Sequence, residues 1–280
     1  MEAAKLLVDC KNTHGEGIVW CHQSQRLFWT DIEGCTLWTY SLQNQSYQTY
    51  EMPNRLCAFM IKEDGTLLAG FDQYVAIINL ESNNIQKLFD FEPENPFSRL
   101  NDGKPDLNGN FVIGGVNESD DESYCSSVIK IDRDLSVHTL IKDVTCANSI
   151  CFSPDGKTLY FSDTPKHNII AYDYSPTCKT LPEGRVIFAG TDRFSFPDGS
   201  TVDQEGYIWN AVWGGSAVIR IDPNSGAIDR VVEVPVNNPT CVAIGGKDLN
   251  SLFITSSRQG LTEQELFDNP QSGGLFTISL

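Results

Sequence analysis

Six positions, each about eight residues ahead of a polar turn, recur at intervals of roughly 40–50 residues along the chain. The clearest copy is Phe196-Pro197-Asp198-Gly199-Ser200-Thr201-Val202, followed by the turn Gln204-Glu205-Gly206 and then Tyr207-Ile208-Trp209. Apolar stretches on either side of a glycine-containing turn predict strand, turn, returning strand. Pro197 has no N–H for a sheet ladder, so the first strand is expected to begin near Asp198. Asn148 stands in the same relation to Gly156, Asn101 to Gly109 and Cys57 to Gly65. Glu16 precedes His22-Gln23-Ser24-Gln25, and Thr240 precedes Lys247-Asp248-Leu249-Asn250, by similar distances. A unit of that length has room for about four strands and must pack on copies of itself to bury its faces. The pattern predicts an all-β chain: a six-bladed β-propeller with four-stranded antiparallel blades, taking residues 1–280 as one domain.

In such a ring the first strand of each blade lines the central channel. The residues that begin those strands then ring one mouth: Glu16, Cys57, Asn101, Asn148, Asp198 and Thr240. Glu16, Asn148 and Asp198 carry hard oxygen donors on three separate blades. Two carboxylates and an amide converging on an axis suit one divalent cation bound by oxygen. Cys57 offers no hard ligand. Asp155 and Asp203 sit within the turns themselves and are expected to be structural.

The net charge of −17 argues against nucleic acid or a membrane surface as partner. No apolar run reaches the length of a membrane span, and Met1-Glu2-Ala3-Ala4-Lys5 lacks a signal-peptide layout, so a cytoplasmic location is expected. The nine cysteines are odd in number and show no CxxC spacing. They predict buried thiols in a reducing compartment rather than a disulfide framework or a cysteine-rich zinc site.

Local patterns carry further expectations. Trp20, Trp29 and Trp38 alternate with short polar breaks and are read as packing between blades. Lys5-Leu6-Leu7-Val8 is expected to pair into the blade built from the C-terminal strands, since a closed ring must hide its end edges. Leu261–Phe267 predicts a short helical turn. Two prolines in 90–98 rule out a regular element there. Asn117–Tyr124 is strongly acidic and reads either as a solvated hairpin tip or as a loop over the mouth with Glu118 turned inward. His14, beside Glu16, is expected behind the site or on the surface, and His22, His138 and His167 are expected to lack matched partners.

Several of these stretches together resemble the senescence-marker-protein-30/gluconolactonase family. They are Gly15-Glu16-Gly17 with Trp20, Arg99-Leu100-Asn101-Asp102-Gly103, Asn148 before Ser153-Pro154-Asp155-Gly156, and Pro197-Asp198-Gly199 before Asp203 and Gly206-Tyr207-Ile208-Trp209. Pro239-Thr240 with Gly245-Gly246, and Thr255-Ser256, match its last blade. The resemblance implies a six-bladed propeller that hydrolyses sugar lactones with one divalent metal, for which Ca²⁺, Zn²⁺, Mn²⁺, Mg²⁺ and Fe²⁺ are candidates. It implies Glu16, Asn148 and Asp198 as ligands, Arg99 and Asn101 as substrate contacts, and a further acidic contact at Glu118 or Ser119, of which Glu118 carries the carboxylate. The ligand types themselves make Asp198 the expected general base. Three departures stand out. Ile18 replaces a usual proline, Ser149 replaces a usual glycine, and the segment after Gly115 lacks the common pattern.

Two other function classes share this architecture: a non-catalytic metal- or protein-binding platform, and a propeller esterase or phosphotriesterase. There is no Gly-x-Ser-x-Gly elbow to suggest a serine nucleophile.

Overall fold

The computed structural model describes residues 2–121 and 125–280; Met1 and residues 122–124 of the acidic stretch lie outside the described residues. Six antiparallel sheets follow one another along the chain, each beginning with its innermost strand. Those inner strands are Gly15–Cys21, Leu56–Ile61, Ser98–Pro105, Ala147–Phe152, Pro197–Val202 and Asn238–Gly245, defining blades one to six. Each inner strand touches the inner strands of both neighbouring blades, so the ring closes around a channel. The expected six-bladed propeller of four-stranded blades is what forms, with one addition: Glu2–Ala3 runs parallel to Ile228–Glu233 as a fifth strand of blade five. Blade five starts at Pro197, one residue earlier than expected, because Pro197 pairs there with Val212.

Closure uses the chain's first residues. Lys5–Val8 pairs antiparallel with Leu275–Ser279 and becomes the outermost strand of blade six. This leaves no unpaired edge between the beginning and the end of the ring, as the sequence suggested. The helical turn forms at Glu263–Asp268, where Thr262 and Glu265 make a reciprocal capping box.

The core lies between blades. Trp20, Trp29 and Trp38 join Val8, Ile18, Ala243, Phe253 and Leu275 in a cluster joining blades one and six. Trp20 stacks on Phe253 at 6.4 Å and Trp29 on Trp38 at 5.6 Å. Fully burying one such large side chain contributes about 1.5–3 kcal/mol, so six of these interfaces hold the ring closed without disulfides. Cys57, Cys151 and Cys241 are buried thiols.

One detail positions everything that follows. Each inner strand carries a bulge at its ring residue, where one extra residue interrupts pairing with the second strand. The breaks fall between Glu16 and Val19, Leu56 and Ala58, Leu100 and Gly103, Asn148 and Cys151, Pro197 and Ser200, and Pro239 and Val242. A bulge bends the strand and re-aims the side chain beside it. Its backbone needs a left-handed residue in two blades: Gly17 at φ +59° after Glu16, and Ser149 at φ +56° after Asn148. Glycine takes that conformation freely, whereas serine does so under strain.

Candidate metal and substrate site

The acidic ends of second strands hold the inner strands in place. Asp31 accepts from the backbone N–H groups of Thr13 and His14 at 3.0 and 2.9 Å. Asp163 accepts from Cys146 N at 2.8 Å. These buried carboxylates spend their lone pairs on backbone, and they fix the backbone two residues ahead of Glu16 and Asn148. Asp155 and Asp203 lie in their turns, as expected. Asp155 accepts from Ser153 Oγ at 2.7 Å, and Asp203 accepts from Glu205 N, Tyr207 N, Trp209 Nε1 and Arg220 Nε.

Glu16, Asn148 and Asp198 are buried, with 6%, 5% and 5% of their surface exposed. The Glu16 carboxylate accepts from Gly17 N at 2.8 Å. Asn148 is oriented from behind, its Nδ2 donating to Thr164 Oγ1 at 2.8 Å while Thr164 Oγ1 donates to Pro197 O at 2.8 Å. Its Oδ1 faces Asn101 Nδ2 at 3.2 Å. The backbone carbonyl of Asp198 is held by Ser149 Oγ at 2.7 Å and Asn210 Nδ2 at 2.9 Å. Thr240 is turned away, donating to Gly15 O and sharing a hydrogen bond with Thr255.

Burial raises the Asp198 carboxyl well above its usual range, and the charges of Glu16 and Asp102 raise it further. Glu16 is raised by burial and by Asp102, against the Gly17 N–H, Lys104 and Arg99. Carboxylates held close together in low dielectric, with few donors of their own, stay ionised only beside a cation. The site therefore fits a divalent metal held by hard oxygen atoms. Among the described residues no group of three or more His, Cys, Asp and Glu side chains has ligand geometry. The amide oxygen of Asn148, buried beside them, is the candidate third oxygen donor.

A second tier lies two residues ahead of the ring: His14, Arg55, Arg99, Cys146, Phe196 and Asn238. Strand alternation returns these side chains to the channel face. Arg99 Nε donates to Glu118 Oε1 at 2.8 Å, and its Nη1 donates to Asn101 Oδ1 at 2.8 Å. Arg55 grips the same Glu118 through Nη1 and Nη2 at 2.7 and 2.9 Å. Glu118 thus stands at the mouth as the link between two arginines, the inward of its two expected readings. Burial opposes its charge, yet Arg55 and Arg99 prevail and hold its carboxyl below the usual range. From Glu118 a hydrogen-bonded line runs through Arg99, Asn101, Asn148 and Thr164 to Pro197, spanning blades three to five.

His14 is buried and not on the surface. Its Nδ1 meets Ser257 Oγ at 3.0 Å and its ring meets Trp213 edge-on at 5.7 Å. Burial, with the charge of Arg99, lowers its pKa to about 3 and keeps the imidazole neutral. Two other histidines do have partners, contrary to expectation: His138 Nε2 lies 3.1 Å from Asp132 Oδ2, and His167 Nδ1 lies 2.8 Å from Ser195 O. His138 belongs to a local contact outside the ring, whereas His167 also meets the ring of Phe196 edge-on at 4.7 Å. A cavity of about 1230 Å³ lies instead among the turns of blades two and three, lined by Lys62, Asp64, Leu107, Arg133 and Leu135. It gathers none of the ring residues.

Arg55 and Trp213 were not anticipated. Arg55 left a signal, since Arg55-Leu56-Cys57 repeats Arg99-Leu100-Asn101 at the same register. Trp213 left none, because it follows a second strand whose length only the fold defines.

The family model for the SMP-30/gluconolactonase/LRE-like region matches residues 14–258. L-arabinolactonase of Azospirillum brasilense is 38% identical over 98% of this chain and 90% of its own length. The 6-deoxy-6-sulfogluconolactonase of Pseudomonas putida is 31% identical over 98% of this chain and 94% of its own. Among solved structures, the calcium-binding protein regucalcin of Agrobacterium tumefaciens superposes with a TM-score of 0.92, at 28% identity, over 99% of this chain and 93% of that one.

Proposed function

The chain belongs to the SMP-30/gluconolactonase family, and from that premise we propose that it is a metal-dependent hydrolase opening a sugar lactone to the aldonic acid. The observation that carries this reading is the pair of buried carboxylates, Glu16 on blade one and Asp198 on blade five, with the amide oxygen donor Asn148 on blade four. The names of these relatives support a lactone as substrate, and the 38% identity to an L-arabinolactonase favours a five-carbon sugar.

Glu16, Asn148 and Asp198 would hold one divalent ion, which when bound supplies Lewis-acid polarisation of the lactone carbonyl. The regucalcin neighbour, described as calcium-binding, keeps Ca²⁺ first among the candidates. Asp198 then serves as general base. Its carboxylate oxygen takes a proton from the attacking water as the new C–O bond forms. When the ring C–O bond breaks, the same oxygen returns that proton to the departing alkoxide. Arg99 and Asn101 orient the sugar hydroxyls. Glu118 restrains Arg99, whose planar fork keeps a fixed direction. Neutral His14 and the edge of Trp213 wall the other side and limit water.

The deciding experiment follows acid release from L-arabinono- and D-gluconolactones. Metal-stripped protein should be inactive and recover on adding one divalent ion. Full turnover in the stripped protein, or none with any aldonolactone, would overturn the reading.

A further inference from the structure

One charged side chain of the channel has no part in the reaction above. Lys104 leaves the inner strand of blade three, and its Nζ comes within 3.9 Å of Cys241 Sγ on the inner strand of blade six. In a ring of six these blades face each other, so the side chain crosses the channel. Cys241 directly follows ring residue Thr240, which sets the ammonium just beneath the mouth. Around it lie Asp102, Cys151 and Glu16. Burial pushes the thiols of Cys151 and Cys241 up, so they add no charge. Asp102 is buried and accepts from Ile150 N at 2.8 Å. Arg99 shares Glu118 with Arg55, and Arg55 is paired further with Glu33 and Asp72, so the two arginines bring no unmatched positive charge.

When ionised, the compartment therefore contains the three carboxylates of Glu16, Asp102 and Asp198 against the single ammonium of Lys104. The remainder is two negative charges. We propose that Lys104 is the fixed cation that matches this compartment to a divalent ion and disfavours ions of higher charge. The inference rests on the metal-binding reading of the trio given above. The repulsion between a fixed charge and a bound ion grows in proportion to the ion's charge. Removing Lys104 should therefore strengthen trivalent binding by more than divalent binding.

The test measures Ca²⁺ affinity by calorimetry and Tb³⁺ affinity by luminescence for the wild type, Lys104→Met and the charge-restoring double variant Lys104→Met/Asp102→Asn. The Asp102→Asn change keeps a carbonyl oxygen to accept from Ile150 N. Lys104→Met should bind Ca²⁺ about tenfold tighter and Tb³⁺ about thirtyfold tighter, a roughly threefold change in preference. The double variant should return both affinities towards the wild type, which a purely structural role for Lys104 would not produce. If Lys104→Met fails to fold, Lys104→Gln carries the same expectation. Wild-type protein that binds these ions while a folded Lys104 variant shows unchanged or weaker affinity overturns this inference alone. Wild-type protein that binds neither ion overturns the metal reading as well.

Discussion

The hydroxyl of Ser149 donates to the backbone carbonyl of Asp198 at 2.7 Å, tying blade four to blade five at the ring. That bond offsets a backbone cost. Ser149 sits at φ +56°, where a Cβ costs about 1–2 kcal/mol relative to glycine. Its Oγ also accepts from Ser200 Oγ at 3.1 Å and Asn210 Nδ2 at 3.0 Å. Ser149→Ala keeps the strain and loses all three bonds, whereas Ser149→Gly loses the bonds but relieves the strain. Urea unfolding should rank the alanine variant about 1 kcal/mol below the glycine variant. The reverse order would mean that the bulge does not need the left-handed conformation.

Asp198 and Asp155 look alike in sequence, each beside a glycine after a proline, and differ in the fold. Asp198 is buried at the ring, while Asp155 caps an exposed turn. Asp198→Asn should lower kcat by at least about a hundredfold, since it removes both the proposed ligand charge and the proposed base. Asp155→Asn should leave kcat and KM unchanged and affect only the unfolding midpoint. A dead Asp155→Asn beside an active Asp198→Asn would show that the register has been misassigned.

Gly199 allows Asp198 to reach the axis. A Cβ there would stand 2.5 Å from Cys241 Sγ, 2.7 Å from its Cβ and 2.8 Å from its Cα. Gly199→Ala should therefore push blades five and six apart and abolish turnover even in folded protein. Removing the sulfur with Cys241→Ala should not rescue it, because the backbone contact remains. Restored activity in that double variant would locate the crowding in the thiol alone.

The ring was legible because each of its residues is reported by a turn eight residues downstream, and turn chemistry is local. Glu16, Asn101, Asn148 and Asp198 could be placed on separate blades for that reason, whereas Arg99 and the substrate-contact roles came from the resemblance. The reach of Lys104 across the channel was not legible. Simple alternation from Asn101 would assign it to the opposite face, and only the bulge between Leu100 and Gly103 brings it back. Of the two readings of His14 the buried one holds, but its partners were not legible, since Ser257 and Trp213 come from distant stretches that the ring closure brings together.

Glu118 tests the second tier. It holds Arg99 Nε and both terminal nitrogens of Arg55, and it touches none of the three proposed ligands through any of these bonds. Glu118→Gln keeps the shape but removes the charge that restrains two guanidinium groups. KM for the lactone should rise several-fold, about 1 kcal/mol of lost orientation, with kcat changed less. A drop in kcat at constant KM would instead make Glu118 part of the chemical step.

Cys57 gives a pH dependence with a definite sign. Burial pushes its thiol from the usual value of about 9 to about 12, with Asp72 adding to the rise and Arg99 opposing it. Below pH 9 the thiol is neutral in both the folded and the unfolded chain and contributes no slope. Between about 9 and 12 the unfolded chain ionises while the folded one does not, so stability falls by about 1.4 kcal/mol per pH unit. Cys57→Ala lacks that slope, though it loses packing at neutral pH. Because the other thiols titrate alike in both proteins, their effects cancel in the comparison. The gap in urea-unfolding free energy between the wild type and Cys57→Ala should narrow by about 2 kcal/mol from about pH 8.5 to about pH 10.5. Parallel curves over that range would mean that Cys57 ionises in the folded ring as readily as in the open chain.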